Sequence, residues 1–118
     1  MIEELPALVN GNQALVRRGR WTDADMLLEI GDRGWIVRIR AGRVETAPVE
    51  GRVTPHDFAI RGTEDAWRAF WSAPPPPRRH DLLALIREGS MCFEGDLDLM
   101  MANLLYIKLM LETLRGRV

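Results

Sequence analysis

The spacing of hydrophobic positions changes from a two-residue period to a helical period along the chain. In WIVRIR the residues from Trp35 to Ile39 alternate between two faces, one of them wholly apolar, as expected of a half-buried strand. Short connectors that contain glycine separate three segments that we interpret as strands, DMLLEI, WIVRIR and RVETAPV. Such connectors are typical of hairpin loops, so the pattern predicts an antiparallel meander that begins near Asp25.

The period changes after a further alternating segment, HDFAIRG. In TEDAWRAFWS, Thr63 can cap a helix, and the two acidic residues after it complement the positive end of the helix dipole. Three aromatic residues follow at the i, i+3 and i+4 positions of one helix face: Trp67, Phe70 and Trp71. We therefore expect a helix with one aromatic stripe that ends before the prolines at Pro74–Pro77.

Two more helices and a short strand are predicted downstream. HDLLALIREG indicates a helix that Asp81 caps and Gly89 closes. MCFE is typical of a short strand, and Gly95 or Asp96 then starts a final helix. Upstream of the strands, only NQALVRRG indicates a turn or two of helix.

The final helix is apolar around most of its circumference. Its polar positions, Asn103, Lys108 and Arg115, do not form the wide solvent face of an ordinary surface helix, so we expect it to be largely covered. Strands followed by helices predict an α+β fold, in which helices cover one side of a mostly antiparallel sheet. The length of 118 residues predicts a single domain over residues 1–118.

Composition narrows the function classes. The chain is 47% hydrophobic and 28% charged, which is typical of a folded globular protein. Sixteen basic residues face 17 acidic ones, for a net charge of -1, so no overall field favours nucleic acid or an anionic membrane. The basic run at Arg17–Arg20 can meet phosphates or anionic headgroups, although such runs are more often simply solvated.

The sequence also carries signals about the compartment. The single cysteine, Cys92, cannot form an internal disulfide, and MIEELPALVNGN lacks the basic start and apolar run of a secretion signal. The longest apolar stretch, Leu97–Leu111, is interrupted by polar residues and is shorter than the roughly 20 apolar residues that cross a bilayer. We expect a cytoplasmic protein without stable membrane insertion.

Few residues indicate catalysis. His56, His80 and Cys92 lack the spacing of metal ligands, so we expect no metal and no other cofactor. The carboxylates of EGDLD surround a predicted helix start, where they cap free amides. A phosphate loop, a Gly-x-Ser-x-Gly elbow and a Cys-x-x-Cys pair are all missing. A hydrolase built on His80 and Asp81 is the weakest alternative, and the sequence predicts no enzyme.

The large apolar residues leave two interpretations open. Four tryptophans and six methionines are more than a minimal core needs in so short a chain. Core packing explains any one of these residues by itself. Methionine, however, adapts to irregular shapes, so the set as a whole also suits the lining of a cavity for a variable apolar guest.

Three segments resemble the sterol carrier protein 2 domain: RAGRVETAP, HDFAIRGTEDAWRAFW and HDLLALIREGSMCFEGDLDLMMAN. The resemblance covers roughly Met26–Leu114 and is most specific over Gly89–Asn103. In that family an α+β fold, with a five-stranded sheet and helices, encloses a hydrophobic tunnel for sterols, fatty acids, acyl-CoA or other lipids. The resemblance implies that this chain binds or transfers such a molecule without enzymatic activity, in a tunnel between its sheet and its C-terminal helices.

The candidate ligand-binding residues lie on the predicted helices and the short strand: Trp67, Phe70, Trp71, Leu82, Leu85, Phe93, Met100, Met101, Leu104 and Leu105. Arg17, Arg18 or Arg79 can meet a carboxylate or phosphate head group. The alternative function is an interaction module that docks its apolar helices on a second copy, as a homodimer, or on a partner enzyme.

Overall fold

The computed structural model describes residues 1–51, 54–77 and 79–117. Its strands are β1 (Asp23–Ile30), β2 (Arg33–Arg40), β3 (Arg43–Val49), β4 (Phe58–Gly62) and β5 (Met91–Gly95). Its α-helices are α1 (Leu5–Asn10), α2 (Gln13–Arg18), α3 (Glu64–Trp71), α4 (Leu82–Glu88), α5 (Leu97–Ala102) and α6 (Leu104–Glu112), and a 3-10 turn at Ile2–Glu4 precedes them. The predicted strands and the helices at α2, α3 and α4 are confirmed.

The five strands form one sheet in the order β3-β2-β1-β4-β5. The β1–β2 and β2–β3 pairs are antiparallel hairpins, as the meander pattern predicted, and β5 is antiparallel to β4. Strand β4 instead runs parallel to β1, with Met26 beside Phe58. The sheet is therefore mixed but mostly antiparallel, and the α+β fold class is confirmed.

The main core lies between the helices and one face of the sheet. On that face the side chains of Met26, Val37 and Ile60 are fully buried, and they join the aromatic stripe of α3 in one hydrophobic cluster. The opposite face carries charged pairs such as Arg61 with Glu29, whose Nε and Oε2 atoms lie 2.8 Å apart. The helices thus cover one side of the sheet, and this arrangement places α3 beside the turn between β1 and β2.

The predicted helix ends are confirmed by their capping contacts. Side-chain oxygens of Thr63, Asp81 and Asp96 accept hydrogen bonds from backbone amides in the first turns of α3, α4 and α5. The donor–acceptor distances are 3.1, 3.2 and 3.0 Å. Gly89 ends α4 with a φ of 88°, a left-handed conformation that favours glycine. Local sequence signals therefore fix where these helices begin and end.

The predicted final helix is two helices, because Asn103 interrupts it. The Asn103 side-chain amide donates to the Leu99 carbonyl at 2.9 Å, and its oxygen accepts from the Thr22 hydroxyl at 2.7 Å. These contacts compete with regular helix geometry and anchor the break to the segment before β1.

The prediction that the final helix is largely covered is wrong for part of its surface. Leu97, Met101 and Leu105 have relative exposures of 54%, 45% and 53%. Each is four residues from the next, so they form one stripe along α5 and the start of α6. Sequence patterning did not reveal this stripe because a helix that is apolar all round does not indicate which side lies against the core.

Candidate ligand-binding cleft

Hydrogen bonds fix two tryptophan rings of α3 in position. The Trp67 Nε1–H donates to the Glu29 carbonyl of β1 at 2.9 Å, and the Trp71 Nε1–H donates to the Leu111 carbonyl of α6 at 2.8 Å. The two rings stack with centroids 4.8 Å apart and an interplanar angle of 25°. Because both polar edges are satisfied by the protein, the two rings form a rigid apolar wall that is itself almost fully buried, with exposures of 0% and 1%.

A cleft of about 320 Å³ lies beside these rings, between the 3-10 turn, the β1–β2 turn and α3. Its apolar lining consists of Met1, Ile2, Ile30, Trp35, Trp67 and Trp71. Its charged lining consists of four exposed residues, Glu3, Arg33, Glu64 and Arg68. The volume lies at the lower end of the range of about 300 to 1,000 Å³ that is usual for ligand sites. Met1 and Ile30 are partly exposed and the other four apolar residues are buried, so the cleft offers a small apolar floor beneath a charged rim.

The rim charges are partly engaged with their neighbours. The Arg33 guanidinium stacks on Trp35, with 4.9 Å between its carbon and the ring centroid. The amino-terminal ammonium lies 2.5 Å from the Glu3 carboxylate, and this hydrogen bond lowers the pKa of Glu3. Among the described residues, Arg68 pairs with the exposed Asp65 at 3.5 Å. Because the charges lie at the water-facing edge, the cleft suits an amphipathic guest with its apolar part inside.

A second depression, of about 380 Å³, also lies at the β1–β2 turn but has a different lining. Its lining includes Glu29, Asp32, His56 and Arg61. Although it is larger and includes Leu27 and Val49, its carboxylates, guanidinium groups and imidazole make it a poorer environment for an apolar guest than the aromatic lining beside α3. The cleft beside α3 is the better candidate.

The structure brings only part of the predicted ligand-binding set to this cleft. Trp67 and Trp71 line it. Phe70, Leu82, Leu85 and Met100 are buried in the core, and Phe93 and Leu104 pack against that core while partly exposed. Met101 and Leu105 belong to the exposed stripe on α5 and α6. The described lining of the cleft thus contains two of the ten predicted residues.

The predicted head-group arginines lie elsewhere. Arg17 and Arg18 are exposed on the last turn of α2. Arg79 pairs with Glu88 and donates to the Ser90 hydroxyl at 2.9 Å. At the cleft itself, the guanidinium groups are instead those of Arg33 and Arg68.

The remaining candidate chemistry has structural roles. Asp81 caps α4 and lies 3.0 Å from the Lys108 ammonium. Burial raises the pKa of Asp81, but the hydrogen bond and charge of Lys108 outweigh this effect, so the pKa lies below its usual value. Asp81 is therefore held as a paired carboxylate. Within residues 1–51, 54–77 and 79–117, no group of three or more His, Cys, Asp or Glu side chains is arranged to hold a metal ion.

Sequence reasoning missed most of the cleft because three distant segments form it. Ile2 precedes α1, Ile30 and Trp35 flank the β1–β2 turn, and the two tryptophans come from α3. The strand pattern did mark Trp35 as inward-facing. No local pattern, however, indicates that the amino-terminal turn lies against this tryptophan.

Comparisons with solved structures identify the fold. A protein described as sterol carrier protein 2 superimposes with a TM-score of 0.78 at 14% identity, over 95% of this chain and 91% of that one. The chain has the sterol carrier protein 2 fold. A conserved hypothetical protein from Thermus thermophilus, described as possibly a sterol carrier protein, gives a TM-score of 0.77 at 13% identity, over 96% and 82% of the two chains. Palmitated SCP2L2 from Aedes aegypti gives a TM-score of 0.57 at 19% identity, over 91% of this chain and 89% of that one.

The sterol carrier protein 2 fold was the one predicted from the sequence segments, and that prediction is confirmed. No family model matches the sequence, and no curated protein matches it either. Across the described residues, none of the helices has the length and apolar character needed to cross a membrane.

Proposed function

We propose that this chain binds a lipid-like hydrophobic molecule of the sterol, fatty acid or acyl-CoA class, and does not convert it chemically. The ligand's apolar part lies in the cleft beside Trp67 and Trp71. The observation that carries this proposal is a rigid apolar floor under a charged rim in a chain with the sterol carrier protein 2 fold. The ligand class is supported by a structural neighbour, SCP2L2, that is palmitated.

The size of the cleft limits affinity and selectivity. Each buried methylene contributes about 0.8 kcal/mol, whereas association costs about 4 to 15 kcal/mol. A cleft of about 320 Å³ encloses only part of a long acyl chain or a sterol. We therefore expect binding in the micromolar range, with weak discrimination between ligands that differ by one methylene.

A tunnel between the sheet and the C-terminal helices stays a prediction. Leu82, Leu85 and Met100, which would line it, have exposures of at most 1% and lie within the hydrophobic core. A guest at that place requires these packed side chains to move apart. The cleft is already open to solvent beside the partly buried Met1 and Ile30, which is why the proposal places the ligand there, although contact with the buried faces of Trp67 and Trp71 also requires side chains to move.

Binding without catalysis is supported by the lining of the cleft. Its described lining contains no histidine, cysteine or serine, and its two carboxylates, Glu3 and Glu64, are exposed at the rim. The cytoplasmic location and the single domain over residues 1–118 stay predictions alongside this proposal.

The binding proposal can be tested with the purified protein and palmitate. Gently purified protein is expected to show added mass in native mass spectrometry, and organic extraction is expected to remove it. Replacing Ile30, a partly buried residue of the cleft, by Asp places a carboxylate on the apolar floor. Ile30→Asp should weaken palmitate binding by about tenfold or more.

Ile86→Asp provides the matched control, because Ile86 is also partly buried against the core but lies on α4 outside the cleft lining. Equal weakening by the two variants would show that the cleft is not the site. A clean native mass together with no detectable palmitate binding would overturn the lipid-binding proposal itself.

The exposed stripe of Leu97, Met101 and Leu105 favours a second candidate function, self-association as a homodimer. Three large apolar side chains in one row provide a surface that a second copy can cover. Sedimentation velocity should then show a concentration-dependent dimer that Met101→Asp or Leu105→Asp converts to monomer. Ala102→Asp, an exposed position on the same helix, is the control. A wild-type monomer at every concentration would exclude this candidate.

A further inference from the structure

The second depression, of about 380 Å³, adjoins the ligand-binding cleft at the β1–β2 turn. Ile30 lines the cleft, the next residue, Gly31, lines the depression, and Arg33 lines both. A β-carbon on Gly31 would lie 3.3 Å from the Cγ atom of Glu64, which belongs to the rim of the cleft. The two hollows are therefore neighbours across the turn.

The floor of the second depression is the face of the sheet that the helices leave uncovered. Leu27 of β1 and Val49 of β3 provide its apolar part, and Gly34 lies on the strand between them. A β-carbon on Gly34 would lie 3.7 Å from Glu29 Cγ and Val49 Cβ, and 3.8 Å from Leu27 Cδ1, all ordinary van der Waals distances. Glycine inside a strand often marks a place where a ligand approaches closely. The missing side chain at Gly34 thus leaves room for the face of a guest.

The wall of the second depression carries hydrogen-bonding groups of both kinds. Arg61 lies between two carboxylates, with its Nε atom 2.8 Å from Glu29 Oε2 and a further contact to Glu94. His56 Nδ1 lies 2.7 Å from the Thr54 carbonyl oxygen. Because a carbonyl oxygen only accepts, Nδ1 is the donor, and Nε2 of the neutral imidazole is an acceptor. Contacts within the protein therefore hold both a donor and an acceptor at the wall.

The charges of this lining oppose a charged head group of either sign. The carboxylates of Glu29 and Asp32 repel an anion, and the Arg61 guanidinium repels a cation. The other guanidinium of the lining, that of Arg33, is stacked on Trp35 of the cleft. A hydroxyl group, by contrast, donates one hydrogen bond and accepts two. Several hydroxyls on one ring can therefore satisfy donors and acceptors together, while the C–H face of the ring covers the apolar floor.

We propose that the second depression binds an uncharged polyhydroxyl head group, such as a sugar, whose hydrocarbon tail occupies the cleft beside Trp67 and Trp71. This inference rests on the proposed function, because the cleft holds the tail. Within the fatty acyl class it selects chains that are linked to a sugar or to glycerol. The cleft alone, of about 320 Å³, encloses only part of such a molecule, and the adjoining depression accommodates the head.

Decyl glucoside, decanol and decyl phosphate share one tail and therefore test the head group separately. Isothermal titration calorimetry uses the full chain and ligand concentrations below those at which micelles form. Decyl glucoside should bind about tenfold more tightly than either decanol or decyl phosphate. Free glucose should bind at least about a hundredfold more weakly than decyl glucoside, because the tail supplies most of the affinity.

Gly34→Val fills the floor of the second depression and lies outside the lining of the cleft. It should remove the advantage of decyl glucoside over decanol and leave the binding of decanol and palmitate unchanged. His56→Ala, which adds no bulk, should reduce that advantage about threefold. Ala47→Val is the matched control, because Ala47 is exposed on β3 outside the lining of the depression, and it should keep the advantage intact. Circular dichroism should confirm that each variant keeps the wild-type fold.

Four outcomes would overturn the head-group inference and leave the proposed function in place. They are equal binding of decyl glucoside and decanol, equal losses in Gly34→Val and Ala47→Val, tighter binding of decyl phosphate than of decyl glucoside, and binding of free glucose as tight as that of decyl glucoside. Absence of binding by both palmitate and decanol would instead overturn the proposed function. Decyl glucoside binding that Gly34→Val abolishes would then still support the head-group site, and its absence would overturn both proposals.

Discussion

Helix α3 and the α5–α6 pair are both rich in large apolar side chains, but they use them differently. Helix α3 buries all three of its aromatic residues, and hydrogen bonds from its two indoles tie it to β1 and to α6. The α5–α6 pair buries one side only and leaves the stripe of Leu97, Met101 and Leu105 in contact with water. Two regions of similar composition thus differ in burial: α3 is part of the core, whereas α5–α6 leaves an apolar surface exposed.

The difference follows from the distribution of polar residues. On α3, charged residues occupy the outer face, so only one orientation of the helix buries its apolar stripe. On α5 and α6 apolar residues occupy most of the circumference, so hydrophobicity alone selects an orientation only weakly. The contacts of Asn103 and Tyr106 with the segments before β1 and after β2 therefore select the orientation. We infer that these polar contacts, together with the buried side chains, select which side of α5–α6 faces outward.

The largest effect that tests this comparison is on folding stability. Phe70→Ala should lower the free energy of unfolding by about 3 to 5 kcal/mol, because Phe70 is fully buried. Leu105→Ala should change it by no more than about 0.5 kcal/mol, because that side chain is half exposed. Urea unfolding of dilute protein measures both. A cost for Leu105→Ala that matches Phe70→Ala would show that the stripe is covered and would remove the contrast.

A smaller effect concerns the hydrogen bond that joins the two regions. Trp71→Phe removes the 2.8 Å donor to the Leu111 carbonyl, which then keeps the longer bond of 3.3 Å from the Leu114 amide, and it also shrinks a fully buried side chain. We expect a loss of about 1 to 3 kcal/mol in the free energy of unfolding. Trp21→Phe, at an exposed tryptophan, should leave the unfolding midpoint unchanged. Equal unfolding midpoints for the two variants would contradict a linking role for Trp71.

The smallest expected effect is a pH dependence of stability that appears only at alkaline pH. Burial raises the pKa of Tyr106 to about 12, above the ordinary tyrosine value of about 10. A raised pKa means that the stabilising contribution is complete below the ordinary value and is lost as pH rises through the raised value. Denaturant unfolding should therefore show alkaline loss of stability in the wild type.

Tyr106→Phe is the comparison protein for this pH dependence. It lacks the hydroxyl that donates to Gly42, so it should be less stable at neutral pH. Its stability should, however, fall less steeply over the same alkaline range. Parallel pH profiles for the two proteins would show that Tyr106 does not control the alkaline transition.

Much of the fold could be predicted because its signals are local. The alternation in WIVRIR, the cap at Thr63 and the glycine at Gly89 each depend on neighbouring residues. The resemblance to sterol carrier protein 2 then ordered these elements into the fold that the structural comparisons support.

The cleft and the break at Asn103 could not be predicted, because both depend on contacts between distant segments. Ile2 and Trp35 line the same cleft but are far apart in the sequence. The helix break at Asn103 is stabilised by a hydrogen bond from Thr22, which is also distant in the sequence. Residue patterns placed Trp67 and Trp71 correctly on an inward helix face. They carried no information about which empty space lies next to that face.

The place of β1 in the sheet bears on how the chain reaches its native state. One neighbour, β2, follows β1 after a short turn, whereas the other, β4, comes only after β3 has been synthesised. Closing a long loop costs more conformational entropy than closing a short one, and contacts between residues distant in sequence slow folding. The β1–β2–β3 hairpins should therefore form first and serve as the template on which β4 and β5 add. Mutations at the β1–β4 seam should accordingly affect unfolding rates more than folding rates.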